Sequence, residues 1–385
     1  MQTTQITWRA LKRGLVGFGW SLLTLLLLCA AVVAWVGSVL DWSEPADFTR
    51  TQAADLPYLA AANAPVRGKI LAIVTSTATM QVPKDDGVKT KPAGFELTEL
   101  ARAYAVFTAN GFVVDIASPK GGAAPFVQDD DDMGAFDYAF LNDPAAMAKV
   151  NASIALGAVD ISAYQAVYLV GGKGTMFDFR QNPRLQQLLS QSWQQGAVLA
   201  AVCHGPAGLL GVKDADGKAL LAGRTVTAFS NAEELFLIPA APAVFGTLLE
   251  DDLRAVGANV STGPLYLNHV VVDGRLISGQ NPWSVWRLAE ATVQALGVTP
   301  RERQRNGDEI AVQLLGVYQQ QGLSAAQQWL LQLPPDQLQR LDRGLFSIHL
   351  LIALMQQQWQ QASDVFSLLR QLAALLNTLP GAGLA

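Results

Sequence analysis

The chain has 385 residues, half of them hydrophobic and 15% charged, with a net charge of -5 at pH 7, which allows one large domain with additions or two ordinary ones. No basic cluster lies beyond the N-terminus, which excludes a nucleic-acid-binding surface. Two cysteines, Cys29 and Cys203, are too few for a disulfide framework, and the three histidines, His204, His269 and His349, do not fall at metal-ligand spacing.

From Gly14 to Leu40 no residue is charged, a run of 27, with Arg9, Lys12 and Arg13 before it and Asp41, Glu44 and Asp47 after it. About 20 apolar residues suffice to cross a bilayer as a helix. The run therefore predicts a single transmembrane helix over 14–40. Positive charge at its start places residues 1–13 in the cytoplasm and everything beyond Leu40 on the external or periplasmic side. A cleaved signal peptide is the competing reading, but its apolar core is typically only about 7–15 residues. Residues 41–66, with Pro45, Pro57 and Pro65, read as a linker.

Strand and helix signals alternate over 67–298. Lys69–Ser76 is a short apolar run ending in small polar residues, as a buried parallel strand does. Leu97, Leu100, Ala101, Tyr104 and Phe107 recur at helical spacing and stop at Gly111. Phe112–Ala117, Ala166–Val170 and Ala197–Val202 predict three more strands, with a helix over Pro183–Gln195. His269–Val272, Leu276–Ser278 and a helix over Pro282–Leu296 complete the domain. Such alternation predicts an α/β fold, a flavodoxin-like or Rossmann-like parallel sheet covered on both faces. The aspartates Asp129–Asp132 lack the ligand spacing and glycine of a calcium loop and read as a solvated surface loop. Residues 299–385 are rich in Gln and Leu, with breaks at Gly322, Pro334-Pro335 and Pro380. They predict an all-α C-terminal extension of three or four amphipathic helices, with no fixed repeat.

The chemistry concentrates at Ala197–Ala207, AVLAAVCHGPA, where an apolar strand runs straight into Cys203. Ala201 and Gly205, two positions either side, are small enough for a sharp strand-to-helix turn of the nucleophile-elbow kind. A lone cysteine after an apolar strand is often only packing. The polar, turn-forming Cys-His-Gly-Pro that follows is not what packing requires. A sulfur at a helix N-terminus is expected to favour the thiolate.

Three blocks resemble the PfpI-like superfamily, related to class I glutamine amidotransferase domains, and most of all its branch of glyoxalase III enzymes and heat-shock chaperone-like proteins. They are Gly94–Leu100 with Gly111–Gly122, Val170–Asp178, and the elbow followed by Leu221–Glu234; Gln280-Asn281-Pro282 adds a fourth match. The resemblance covers about Lys69 to Leu296. It implies Cys203 as nucleophile, Glu99 approaching it from the first helix, and His204 oriented by Glu234, with Glu233 the rival. It also implies an oxyanion hole from the amides of Gly171, Gly172 and His204. In this branch the glycine turn often reads Gly-Gly-His-Gly; here Lys173 stands in the substrate pocket instead.

What the resemblance implies is a stress-response lyase that converts methylglyoxal, or a related small 2-oxoaldehyde, to a hydroxy acid without glutathione, metal or other cofactor. Two alternatives remain open: an amidase, peptidase or deglycase using the same cysteine, and a membrane-tethered chaperone or scaffold with a vestigial site. The expected partners are a small aldehyde or peptide substrate, the membrane through 14–40, and a protein partner for the C-terminal helices. A homodimer is allowed.

Overall fold

A computed structural model of the chain describes Gly37 and residues 46–60, 65–84, 87–128 and 132–379. They fall in two compact units, Pro45–Arg305 and a second that takes in the chain from Asn306 onward.

The first unit is built on seven strands: β1 (Gly68–Ile73), β2 (Phe112–Ser118), β3 (Ile154–Ala155), β4 (Ala166–Leu169), β5 (Val198–Val202), β6 (Val270–Asp273) and β7 (Leu276–Gly279). Their order across the sheet is β6-β7-β5-β4-β1-β2-β3. All pairs are parallel except β6 with β7. The central strands are apolar runs because both faces are covered: Ile70 to Ile73, Ala166 to Leu169 and Val198 to Val202 are all buried. The α/β architecture expected from strand-helix alternation is therefore the one observed.

The helix Leu97–Ala109 is buried almost all round, because it packs between the sheet and the helices Ala135–Leu141 and Val285–Ala295. Its chain reverses at Gly111, whose φ of 87° suits glycine. The C-terminal ends of β1, β4 and β5 then sit beside the first turn of this helix, the crevice where doubly wound sheets place their sites.

The described part of the expected linker is instead folded onto the domain. Tyr58 is buried, and Asn142 Nδ2 donates to the carbonyls of Thr49 and Thr51. At the other end, Arg303 lies over the Trp286 ring at 4.0 Å and pairs with Glu290 at 3.0 Å, so the domain runs past 298 to Arg305. Of the four aspartates at 129–132, only Asp132 is among the described residues; its carbonyl accepts from Arg102.

The second unit holds five helices among the described residues: Gly307–Gln321, Leu323–Leu331, Pro335–Arg340, Arg343–Met355 and Trp359–Leu376. Leu314, Leu330, Val365 and Leu369 are fully buried, as amphipathic periodicity predicts, but the described helices number five and not the three or four expected.

The membrane expectation is corrected. No helix among the described residues is long and apolar enough to cross a bilayer. Residues 14–40, on which the expectation rested, lie outside the described residues except for Gly37. The longest described helix, Trp359–Leu376, has 18 residues but carries Asp364 and Arg370. The single-pass topology and the external placement of the α/β domain fall with that correction.

Candidate active site

Cys203 ends β5 with a φ of 56°, in the left-handed region that side chains rarely occupy. Such a conformation costs about 1–3 kcal/mol and persists only where neighbours impose it. Here they do: the Cys203 amide donates to the Gly279 carbonyl and the Phe229 amide donates to the Cys203 carbonyl, both at 2.9 Å. A side chain at Gly205 would strike the Leu169 carbonyl, which explains the small residue required there. The elbow read from the sequence is present.

His204 is buried between two partners. Its Nδ1 lies 3.3 Å from Cys203 Sγ and its Nε2 lies 2.5 Å from Glu234 Oε2. Burial alone would raise the Glu234 carboxyl, but the charge and hydrogen bond of His204 override this and hold it below its usual value. An ionised Glu234 accepts a hydrogen bond from Nε2–H, which leaves Nδ1 to accept from the thiol.

Glu233, the rival for that position, does something else. Its Oε2 accepts from the Ser230 amide and hydroxyl, and its Oε1 from the Tyr266 amide and Asn281 Nδ2, at 2.9–3.1 Å. It caps the helix Asn231–Leu237 and ties it to the loop at Tyr266, a residue with a φ of 53°. Glu234 is thereby aimed at His204.

Glu99 is fully buried in the first turn of its helix, and its Oε2 accepts from the Gly171 amide at 2.8 Å. Its Oε1 has no partner of good hydrogen-bond geometry among the described residues. Burial, reinforced by the charge of Glu96, raises its pKa to about 8, although contact with Cys203 lowers it in part. The same burial, with Glu99 and Glu96 next, pushes the Cys203 thiol well up. The expected resting thiolate is therefore corrected. The helix after the cysteine is only a five-residue 3-10 segment, and desolvation beside two carboxyl groups outweighs its dipole.

The oxyanion hole also needs revision. The Gly171 amide is committed to Glu99, because a buried N–H takes the nearest acceptor. The amides of Gly172 and His204 remain without an acceptor among the described residues. Thr175, missed in the sequence, brings these two segments together: its hydroxyl bridges the Gly172 carbonyl at 2.9 Å and the His204 carbonyl at 3.0 Å. A Thr at the start of a short helix after a glycine turn was the available clue. Lys173 is half-buried in the same turn.

The DJ-1/PfpI family profile matches residues 90–295, more than half of the chain. The chain belongs to the DJ-1/PfpI family. It is similar to the glutathione-independent glyoxalase HSP31 of Saccharomyces cerevisiae, 31% identical over 239 residues, 58% of this chain and 97% of that one. A probable glutathione-independent glyoxalase of Schizosaccharomyces pombe, hsp3104, is 33% identical over 141 residues, 36% of this chain and 64% of that one. Among solved structures, glyoxalase III of Candida albicans superposes with a TM-score of 0.53 at 25% identity, over 60% of this chain and 97% of that one. The DJ-1/PfpI domain thus lies in Pro45–Arg305, and the helices from Asn306 on are additional to it.

Proposed function

We propose that this DJ-1/PfpI-family chain is a glutathione-independent glyoxalase that converts methylglyoxal, or a related small 2-oxoaldehyde, to the 2-hydroxy acid. Relatives about 30% identical bear that name. The observation that carries the reading is the buried Glu99 carboxyl, with a pKa of about 8, beside the elbow thiol. Acyl transfer by an amidase needs only the Cys-His-Glu set and an oxyanion hole. A second carboxyl poised near neutral pH is what a proton shift between adjacent carbons requires.

Cys203 Sγ bonds to the aldehyde carbon as its proton passes to His204 Nδ1, and Glu234 stabilises the imidazolium. The aldehyde oxygen takes that proton back from His204 and becomes the hydroxyl of a hemithioacetal, facing the Gly172 and His204 amides. Ionised Glu99 takes the proton from that carbon while the C1 hydroxyl proton passes through His204 to the C2 oxygen, forming an enediolate. Glu99, its own proton exchanged with solvent, then protonates C2. The resulting thioester is hydrolysed by water with His204 as general base, which releases the hydroxy acid and restores the thiol.

The test is turnover of methylglyoxal by the full chain without glutathione, run in heavy water. Lactate carrying deuterium at C2, lost in Cys203→Ala, is the expected result. Absence of lactate at high enzyme concentration would sink the proposal.

A further inference from the structure

The glycine turn Gly171–Gly174 is immobilised at three of its four residues. A Cβ on Gly171 would lie 2.6 Å from Glu99 Oε2 and 2.8 Å from Cys203 Cβ. One on Gly172 would strike the Gly94 carbonyl, and one on Gly174 the Ala93 carbonyl and the Thr75 side chain. The turn is therefore clamped between the elbow, the first helix and the end of β1. The only side chain it can display is Lys173, and it displays it half-buried at the site.

That ammonium has no ion-pair or hydrogen-bond partner among the described residues. Its charge nevertheless reaches Glu99, Cys203 and Glu234, and favours the ionised form of each. Among the described residues no other lysine or arginine acts on these three groups. Partial burial of a cation is costly unless something offsets it, and methylglyoxal offers only carbonyl dipoles where a carboxylate offers a full charge. Counting from the sulfur, C1 carries the hemithioacetal, whose oxygen faces the Gly172 and His204 amides, and C2 carries the ketone. An anion on C3 or beyond is what remains for the next residue of the same turn.

We infer that Lys173 forms an anion subsite, and that the preferred substrate is a 2-oxoaldehyde bearing an acid group at or beyond C3. The aldehyde half of this rests on the glyoxalase reading; the subsite does not. The two parts are tested separately in the full chain. Bromopyruvate and bromoacetone each alkylate a thiol by loss of bromide, place a ketone at C2, and differ by a carboxylate in place of a methyl group. The ratio of their rates at Cys203, followed by peptide mass spectrometry, is compared with that of a small free thiol. Wild type should favour bromopyruvate about tenfold over the free-thiol ratio, and high salt should shrink the preference. Lys173→Met should return the ratio to the free-thiol value, while Lys173→Arg keeps most of it. In turnover, the kcat/KM ratio of a carboxylated 2-oxoaldehyde to methylglyoxal should fall about tenfold in Lys173→Met.

An alkylation ratio equal to that of the free thiol in wild type, or unmoved by Lys173→Met, would overturn the subsite. Turnover that favours methylglyoxal in wild type would overturn the substrate class. If neither aldehyde is turned over while the alkylation preference holds, the glyoxalase reading fails and the subsite stands.

Discussion

Glu99 and Cys203 share a pocket that water hardly reaches, so each resists carrying charge. For the thiol, burial and the neighbouring carboxyl groups act in the same direction, upward. Alkylation of Cys203 by iodoacetamide is therefore expected to be slow at pH 7 and to climb beyond the free-thiol range of about 8.5. Glu99→Gln removes one of the raising charges and should speed the reaction at pH 8. A fast, pH-independent reaction near neutrality would show a resting thiolate and contradict this reading. Glu99 also has a stability signature. Its pKa rises from 4.5 to about 8 on folding, so the folded state holds a proton that the unfolded chain releases. That contribution is complete below pH 4.5 and is lost as pH rises toward 8, at about 1.4 kcal/mol per pH unit. Denaturant melts should show Glu99→Gln gaining on wild type between pH 5 and 8; parallel curves would refute the assignment.

At the scale of elements, the helix Asn231–Leu237 is positioned by one buried carboxylate. Glu233 collects four donors, two from its own N-cap Ser230 and two from the loop and strand end at Tyr266 and Asn281. Glu233→Gln turns one acceptor oxygen into a donor facing donors, which should cost about 1–3 kcal/mol. Because Glu234 rides on the same helix, kcat should fall with little change in KM. Thermal melts and steady-state kinetics on this variant check both. Unchanged kcat with lowered stability would leave Glu233 a purely structural cap. This division of labour was half legible in the sequence. Ser230 followed three residues later by Glu233 is a capping-box spacing, and it assigns the adjacent carboxylate, Glu234, to the histidine. The hairpin Thr79–Lys84 with Gly87–Pro92 is equally readable in the sequence. Met80 and Val82 alternate with exposed residues, and Asp85-Asp86-Gly87 is a turn signal.

For the molecule as a whole, two compact units predict two unfolding events. Residues 45–305 carry the sheet and the site, and the helices after Asn306 bury their own apolar stripe. Calorimetry of the full chain should show two transitions, and a chain ending after Arg305 should retain one of them together with its methylglyoxal turnover. Fusion into a single transition, or an insoluble truncated chain, would show the units to be energetically one. The exposed apolar residues of the tail, Ile348, Leu351, Met355 and Trp359, are the place where such insolubility or partner binding would be sought.

The amino-acid sequence by itself determined the alternation of strands and helices, the elbow at Cys203 and the glycine turn. These are local features, written in apolar runs, small residues and short-range spacing. It also pointed to Glu99, His204 and Glu234 through resemblance, with Glu233 left as the rival of Glu234. Only the tertiary structure decided that Gly171 pairs with Glu99 instead of lining the oxyanion hole. It alone placed Thr175 as the bridge between turn and elbow, and set the thiol in desolvated company. These are facts of long-range approach, between residues 29 to 72 positions apart, and of dielectric environment. The membrane-spanning expectation rested on 14–40, which apart from Gly37 lies outside the described residues, and no described helix is long and apolar enough to cross a bilayer.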